Sequence, residues 1–283
     1  MTEATYQRYL VYQAKHPHTQ TLDWESFNDI WHQSLVVEDE SHDFIMASIL
    51  NQKVYVTFIV SDDKTTTQSM LRRLEEVSIM NGWSQTWIHF QNPVKTSWYP
   101  IEHIHHPTRP GISIKDPHVP WLVEEGFQIH TIEDVYLLDL TQDTSFILDD
   151  RIRFYHSNEK EHLKDLIESV HQPDWRNTLE NTLNGDLRPL LVAWHNDKMM
   201  GFTGPLAVEP SKRGYFAGIQ VLEQAKGLGL GKGLFHRLCY ELSSRGAHYM
   251  TFFTGRKNLA QHIYLSAGAR VIHSCYTMYK HNR

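Results

Sequence analysis

The run Lys226-Gly227-Leu228-Gly229-Leu230-Gly231 carries the strongest chemical signal in the chain. Glycine at every second position bares the backbone, so successive N–H groups can turn towards one ligand. A strand-like stretch, Gly214 to Val221, precedes the run, and an amphipathic helix reaching about Ser244 follows it. A helix start adds unpaired N–H donors and a partial positive charge. Lys226 and Lys232 flank the turn. Strand, glycine turn and helix N-terminus together make an anion site, most often for phosphate. Spacing excludes two nucleotide motifs. The P-loop needs Gly, four residues, then Gly-Lys-Ser/Thr. Here Gly231-Lys232 is followed by Gly233, and no glycine stands five places before Gly231. The dinucleotide fingerprint needs glycines at relative positions 0, 2 and 5. From Gly227 the last position is Lys232, and from Gly229 it is Leu234.

A second constellation lies downstream. Tyr249 to Thr254 is apolar and β-rich and reads as a strand. Asn258, Ala260, Tyr264 and Gly268 follow it. The pattern Val221-(x)4-Lys226-Gly227-x-Gly229-x-Gly231-x-x-Leu234 resembles the acyl-CoA loop of the GNAT superfamily of N-acetyltransferases. That family's signature is Arg/Gln-x-x-Gly-x-Gly/Ala after a strand, and Lys226 is taken as its first position, keeping a positive charge. The downstream group resembles the family's second signature, an Asn, an Ala, then Tyr-x-x-x-Gly-Phe. Ala260, Tyr264 and Gly268 match in spacing; Asn258 is one residue closer to Ala260 than usual, and Ala269 replaces the Phe. The resemblance covers about residues 151–283.

The resemblance implies a mixed α/β fold and acetyl-CoA, or coenzyme A, as co-substrate. It implies a pyrophosphate on the N–H groups of Gly227, Gly229, Leu230 and Gly231, with charge from Lys226 and Lys232, and it makes Asn258 a further binding candidate. The pantetheine arm would pair with the edge of Ile219-Gln220-Val221, as an added strand does. The family's strand leaves its neighbour at a bulge, which opens the slot. An acceptor amine attacks directly, the backbone N–H near Val221 faces the developing oxyanion, and Tyr264 gives the leaving thiolate its proton. The acceptor is expected to be a small-molecule amine or a peptide.

The whole chain sets bounds on this reading. Its 283 residues suit one large or two ordinary domains. With 41% apolar and 21% charged residues, a packed core is expected. The net charge of −6 and the lack of a basic stripe argue against a nucleic-acid partner, and so against transfer from aminoacyl-tRNA. No run of about 18 apolar residues predicts a membrane span. Met1-Thr-Glu-Ala-Thr has no signal-peptide pattern. The two cysteines, Cys239 and Cys275, read as buried inert thiols in a reducing, cytoplasmic setting.

The element order of the first half recurs in the second. Tyr6–Lys15 and Trp24–Leu35 are expected as helices, Phe44–Leu50 and Val54–Val60 as strands joined at Asn51-Gln52, Gln68–Met80 as a helix ended by Asn81-Gly82, Trp87–Phe90 as a strand, Val119–Glu125 as a short helix and Phe127–Leu140 as a strand. This order repeats that of residues 190–280, and Glu125-Gly126-Phe127 parallels Ala267-Gly268-Ala269. Two tandem copies of one fold are therefore expected: 1–145 as a degenerate copy without the loop, and 150–283 as the copy binding acyl-CoA. After Val60 the first copy has Ser61-Asp62-Asp63 and no glycine, and Leu122 stands where the second has Tyr264. In the second copy Arg151–His156, Pro189–Trp194, Met199–Val208 and Tyr215–Leu222 are expected as strands, two helices break near Pro173, and Arg270–Lys280 closes the fold.

Other reactive residues do not assemble a site by sequence. Glu209, Asp174, Glu180 and His156 are candidates for a general base, and Glu223 sits too near the expected pyrophosphate. Glu102-His103-Ile104-His105-His106 has no matched partner cluster, and no structural metal is expected. The tryptophans, Trp175 included, read as packing residues. The competing reading is a non-catalytic CoA-binding sensor or interaction module; an intact Tyr264 favours an enzyme.

Overall fold

Caps and turns set most of the element boundaries in the computed structural model, which describes residues 1–16, 20–142, 146–186 and 188–283. Helix α1 (Glu3–Lys15) starts at Thr2 and α2 (Trp24–His32) at Asp23, and each cap accepts a backbone N–H through its side chain. The helix expected to reach Leu35 stops at His32. Leu35 instead opens β1 (Leu35–Glu38), which pairs antiparallel with β2 (Phe44–Leu50). Val36 and Val37 favour that extended pairing. Asn51 and Gln52, at φ +51° and +58°, turn β2 into β3 (Lys53–Val60). Helix α3 (Lys64–Met80) starts four residues before Gln68, because the Asp63 side chain caps it. There follow β4 (Gln85–Ile88), β5 (Trp98–Ile101), β6 (Ile104–His106), β7 (Ile112–Ser113), α4 (His118–Glu124) and β8 (Gln128–Asp139).

The second half continues with β9 (Ile152–Phe154), α5 (Lys160–Glu168), α6 (Pro173–Leu183), β10 (Leu191–His195), β11 (Lys198–Gly204), β12 (Ala207–Val208), β13 (Arg213–Tyr215) and β14 (Gly218–Val221). Then come α7 (Leu230–Ser244), β15 (Tyr249–Gly255), α8 (Gln261–Ser266) and β16 (Arg270–His281). Two strands expected to be continuous are interrupted. Met199–Val208 divides into β11 and β12 around Pro205, and the strand before the glycine loop divides into β13 and β14. Among the described residues no helix is long and apolar enough to cross a membrane.

The chain divides into two units. Unit 1 holds Met1–Val135, Phe253–Arg256 and Val271–Arg283; unit 2 holds Tyr136–Phe252 and Lys257–Arg270. The sequence reading kept the closing strand with the second copy, whereas here residues 271–283 belong to unit 1. The reason is pairing: β16 lies antiparallel to β4, from Met278↔Ile88 to His281↔Gln85.

In unit 1 the strand order is β1-β2-β3-β4-β16-β8, with β7 against β16. Its core gathers Ile45, Val54, Leu71, Leu74 and Met278. A second cluster packs Tyr9 on Phe27 with ring centroids 4.4 Å apart. In unit 2 a four-stranded sheet runs β14-β11-β10-β9, and β13 pairs with β15 and β12. Leu234, Phe235, Leu238 and Leu242 form the buried stripe of α7, at the i, i+4 spacing of a core-facing helix. Each such burial contributes about 1.5–3 kcal/mol.

The expected repeat shows in matching details. Gly126 (φ +88°) and Gly268 (φ +92°) end α4 and α8. Phe127 N–H donates to Leu122 O and Ala269 N–H to Tyr264 O, both at 3.0 Å. In each unit a parallel strand pair then forks. Strand β3 stays with β4 only over Lys53–Tyr55, and β13 stays with β15 only over Arg213–Gly214 before β14 turns to β11.

Candidate functional site

The glycine run leaves β14 through Leu222, whose N–H donates to Met200 O at 2.8 Å. Residues 223–225 make one 3-10 turn, and Lys226 is extended. Gly227 and Gly229 both take φ +80°, a region that L side chains resist. Gly229 is the N-cap of α7 and has no side chain to cap it. The first helical bond is Gly233 N–H to Gly229 O at 3.0 Å. Among the described residues, the N–H groups from Gly227 to Lys232 have no acceptor. Space outside the loop is open: a Cβ on Gly227 would meet nothing within 4 Å. Arg151 braces the loop from behind. Its Nη2 donates to Leu228 O at 3.2 Å, while Asp149 holds the same guanidinium at 2.7 and 3.0 Å.

Among the described residues, strand β14 has a strand neighbour on one side only. Leu222 and Gly218 spend backbone groups on the β11 side, through Met200 and the Thr203 hydroxyl. Backbone groups alternate along an antiparallel strand. Ile219 and Val221 therefore turn theirs to the unpaired edge, while Gln220 faces Phe202 in the ladder. A Cβ on Gly201 would lie 2.6 Å from Gln220 O, so only glycine lets β11 come this close. Trp175 packs flat on Gly218, its Nε1 2.3 Å from where a Cβ would stand.

Helix α8 brings Tyr264 to the same region. Gly231 lies between it and β14: a Cβ there would meet Ile263 Cδ1 at 3.4 Å and Val221 Cγ2 at 3.7 Å. The Tyr264 ring packs on Phe252 at 4.7 Å and Phe235 at 4.9 Å, with Tyr136 at 5.7 Å. Burial first, then the neighbouring Tyr136, pushes its phenol pKa up to about 12. It therefore holds its proton at neutral pH.

The remaining expected residues differ in placement. Lys226 is exposed and pairs with Glu223 at 2.6 Å, and Lys232 is exposed in the first turn of α7. Asn258 Oδ1 accepts the Ala260 N–H at 3.0 Å, so its visible role is to open α8. Two residues were missed. Arg151 stands 77 residues from Leu228, and no local pattern links them. Gln224 is three residues before Gly227 and so fits the first position of the Arg/Gln-x-x-Gly-x-Gly signature better than Lys226 does.

The candidate bases have other partners or lie in solvent. Glu209 holds the buried Arg213 at 2.5 and 2.8 Å, and Arg213 also donates to Thr251 O. Glu180 accepts from Arg176 at 3.1 Å. Asp174 is exposed in the first turn of α6. His156 N–H donates to Glu159 at 2.9 Å. Among the described residues no group of three His, Cys, Asp or Glu side chains could hold a metal. Cys239 and Cys275 are buried, and burial raises both thiol pKa values, that of Cys275 to about 12.

Residues 149–268 match the model of the Acetyltransferase (GNAT) family. This segment is similar to a GNAT acetyltransferase domain. It contains the glycine loop, β14 and Tyr264. No curated protein sequence matches the chain. Solved GNAT structures share the fold over nearly its whole length. A GCN5-related N-acetyltransferase from Sphaerobacter thermophilus is 13% identical over 99% of this chain and 92% of its own, at TM-score 0.65. A tandem GNAT protein from the clavulanic acid biosynthesis pathway is 10% identical over 99% and 95%, at TM-score 0.59. A glucosamine N-acetyltransferase region of a fungal multi-domain β-N-acetylglucosaminidase is 14% identical over 98% of this chain and 37% of its own, at TM-score 0.66. The chain thus has the fold of GNAT proteins, tandem ones included, and residues 149–268 match the model of that acetyltransferase family.

Proposed function

We propose that the protein is an N-acetyltransferase that moves an acetyl group from acetyl-CoA to the amine of a small molecule or peptide. One observation carries this reading: a helix start without a side-chain cap, whose loop N–H groups lack acceptors among the described residues, adjoins an edge of β14 that is unpaired among them. The residues fit coenzyme A in kind. Gly227 to Lys232 offer N–H donors to a pyrophosphate, and Lys226 and Lys232 add charge. Ile219 and Val221 offer an edge to the amides of a pantetheine arm, and the bound co-substrate supplies an acyl group activated as a thioester. Val221 N–H is placed to donate to a carbonyl oxygen at that edge. Tyr264, protonated at neutral pH, is the general acid for the departing sulfur. In this reading residues 150–283 carry the chemistry and residues 1–145 are a companion copy without the loop.

Titration calorimetry with acetyl-CoA is the first test, followed by free-thiol release across a panel of amines. One acetyl-CoA bound per chain, with thiol release that depends on an amine, is expected. Absence of CoA binding would sink the proposal. Binding without turnover on any amine, unchanged in Tyr264→Phe, would instead support a non-catalytic CoA sensor.

A further inference from the structure

Unit 1 has a fork of its own, and it is not empty of chemistry. Between the diverging strands β3 and β4 lies a cavity of about 740 Å³, bounded by Val56–Ile59 on one side and Ile88–Phe90 on the other. That size is typical of small-molecule sites, which run about 300–1,000 Å³. All of its lining residues belong to unit 1.

The cavity is unsuited to coenzyme A held in the manner proposed for unit 2. Asn92 fills the base of the fork: its Nδ2 donates to Val56 O at 3.2 Å and Thr57 Oγ1 at 3.0 Å, where a pantetheine amide would have to pair. The adjoining helix start is closed by the Asp63 carboxylate.

The lining nevertheless favours an anion. Lys15, Lys95, Arg109 and Lys115 line it with one carboxylate, Asp116; Lys15 is paired with Asp62 at 2.8 Å and Lys95 donates to Phe90 O at 2.6 Å, which leaves Arg109 and Lys115 as the cations to meet a ligand. Asp116 is already committed, to His118 Nδ1 at 2.8 Å and to Arg109 at 3.5 Å. The hydrogen bond from His118 and the Arg109 charge outweigh burial and hold its carboxyl below the usual range. Among the described residues that long ion pair is the one partner of Arg109, so most of its five N–H donors lack an acceptor. Gln13 is only 4% exposed, and its Oε1 has no partner among the described residues. Leaving a buried amide oxygen unpaired is unfavourable, so a donor on a ligand would be gained there. Phe58, Phe90 and Trp98 supply flat apolar walls.

We propose that this cavity is a second ligand site, which takes a small planar organic acid. Its carboxylate meets Arg109, its ring lies among Trp98, Phe58 and Phe90, and an N–H or O–H on it donates to Gln13 Oε1. Guanidinium and carboxylate match as a two-point fork, and aromatic walls suit a flat body.

trans-4-Hydroxycinnamate, flat with a carboxylate at one end and a phenol O–H at the other, serves as the probe, titrated by calorimetry into the full chain with CoA in excess. One site per chain is expected. The neutral methyl ester of the probe, and the Arg109→Gln variant, should each bind about tenfold or more weakly, about 1.4 kcal/mol. Arg109→Lys should fall between wild type and Arg109→Gln. Gln13→Leu should weaken binding severalfold, and it carries the test if Arg109→Gln does not fold. No binding, displacement by CoA, or equal affinity for acid and ester would each overturn the proposal. So would unchanged binding in folded Arg109→Gln or, in its place, in Gln13→Leu.

Discussion

Helix α3 begins at Asp63, whose Oδ1 takes the Thr66 N–H at 2.8 Å; helix α7 begins at Gly229, which has no side chain to give. Both helices follow a strand that has just left its parallel neighbour. In unit 1 the backbone groups at the fork are taken up by protein side chains, Asn92 on the β3 edge and Asp63 on the helix start, and Leu122 stands in the short helix beyond. In unit 2, among the described residues, the edge of β14 has no second strand and the loop N–H groups have no acceptor, and Tyr264 replaces the leucine. The scaffold is shared, and a few side chains decide whether its polar groups are spent on the protein or kept for a ligand. Hydrogen bonds from Thr66 hold the Asp63 carboxyl below its ordinary pKa, so the charge that closes α3 persists at neutral pH.

The largest expected effect tests the Tyr264–Leu122 difference. Tyr264→Phe should lower kcat by roughly 10²–10⁴, the range for general acid catalysis, while calorimetric CoA affinity stays near wild type. Affinity lost in step with kcat would make Tyr264 a packing residue like Leu122. The same residue predicts a pH profile. A proton donor fails as pH rises through its pKa, and burial has moved this one up to about 12. The wild-type rate should therefore show no basic limb from Tyr264 below about pH 10, the ordinary tyrosine value.

Next in size is a change that gives α7 the character of α3. Gly229→Asp should weaken CoA binding about 100-fold, close to 2.7 kcal/mol, because a carboxylate opposes an anion at a helix start. Gly229→Asn carries the same backbone strain without the charge and should lose about tenfold. Equal losses in the two variants would mean that strain, not charge, separates the loops. In unit 1, Asn92→Leu strands Val56 O, Val94 N–H and the Ser48 hydroxyl. Urea unfolding should show a loss of about 2 kcal/mol, with CoA affinity unchanged. The smallest effect is Asp63→Ala, about 1 kcal/mol for a lost cap. It should create no second CoA site, because the glycines are missing there.

The sequence displayed this contrast because its carriers are local. Glycines at fixed spacing, paired aspartates, and the matched Gly126 and Gly268 are visible within a few residues, as is the Asn51-Gln52 turn. Only Leu35 of strand β1 falls in the expected helix, and Val36 to Glu38 carry no expectation, because Leu35 to Glu38 has no alternation of its own and depends on pairing with β2. The short strands β5, β6 and β7 were hidden for a similar reason: they hold two to four residues each and are fixed by their partners. The brace from Arg151, and the plug that Asn92 makes 36 residues from Val56, require a fold before they mean anything. Tyr264 was found by its spacing, but its aromatic cage and raised pKa arise only when Phe235, Phe252 and Tyr136 converge on it.

The placement of β16 has a consequence for how the molecule is made. Strand β4 waits for a partner that is synthesised far behind it: Gln85 and His281 are 196 residues apart. At about 5–20 residues per second, translation takes roughly 10–40 s to cover that distance. During that interval the nascent chain carries an unpaired β4 edge, the kind of template on which strands of other chains add. Closing so long a loop also favours slow assembly. The first half of this protein is therefore born before it can be finished, and its ribosome-bound form is where a chaperone would have the most to protect.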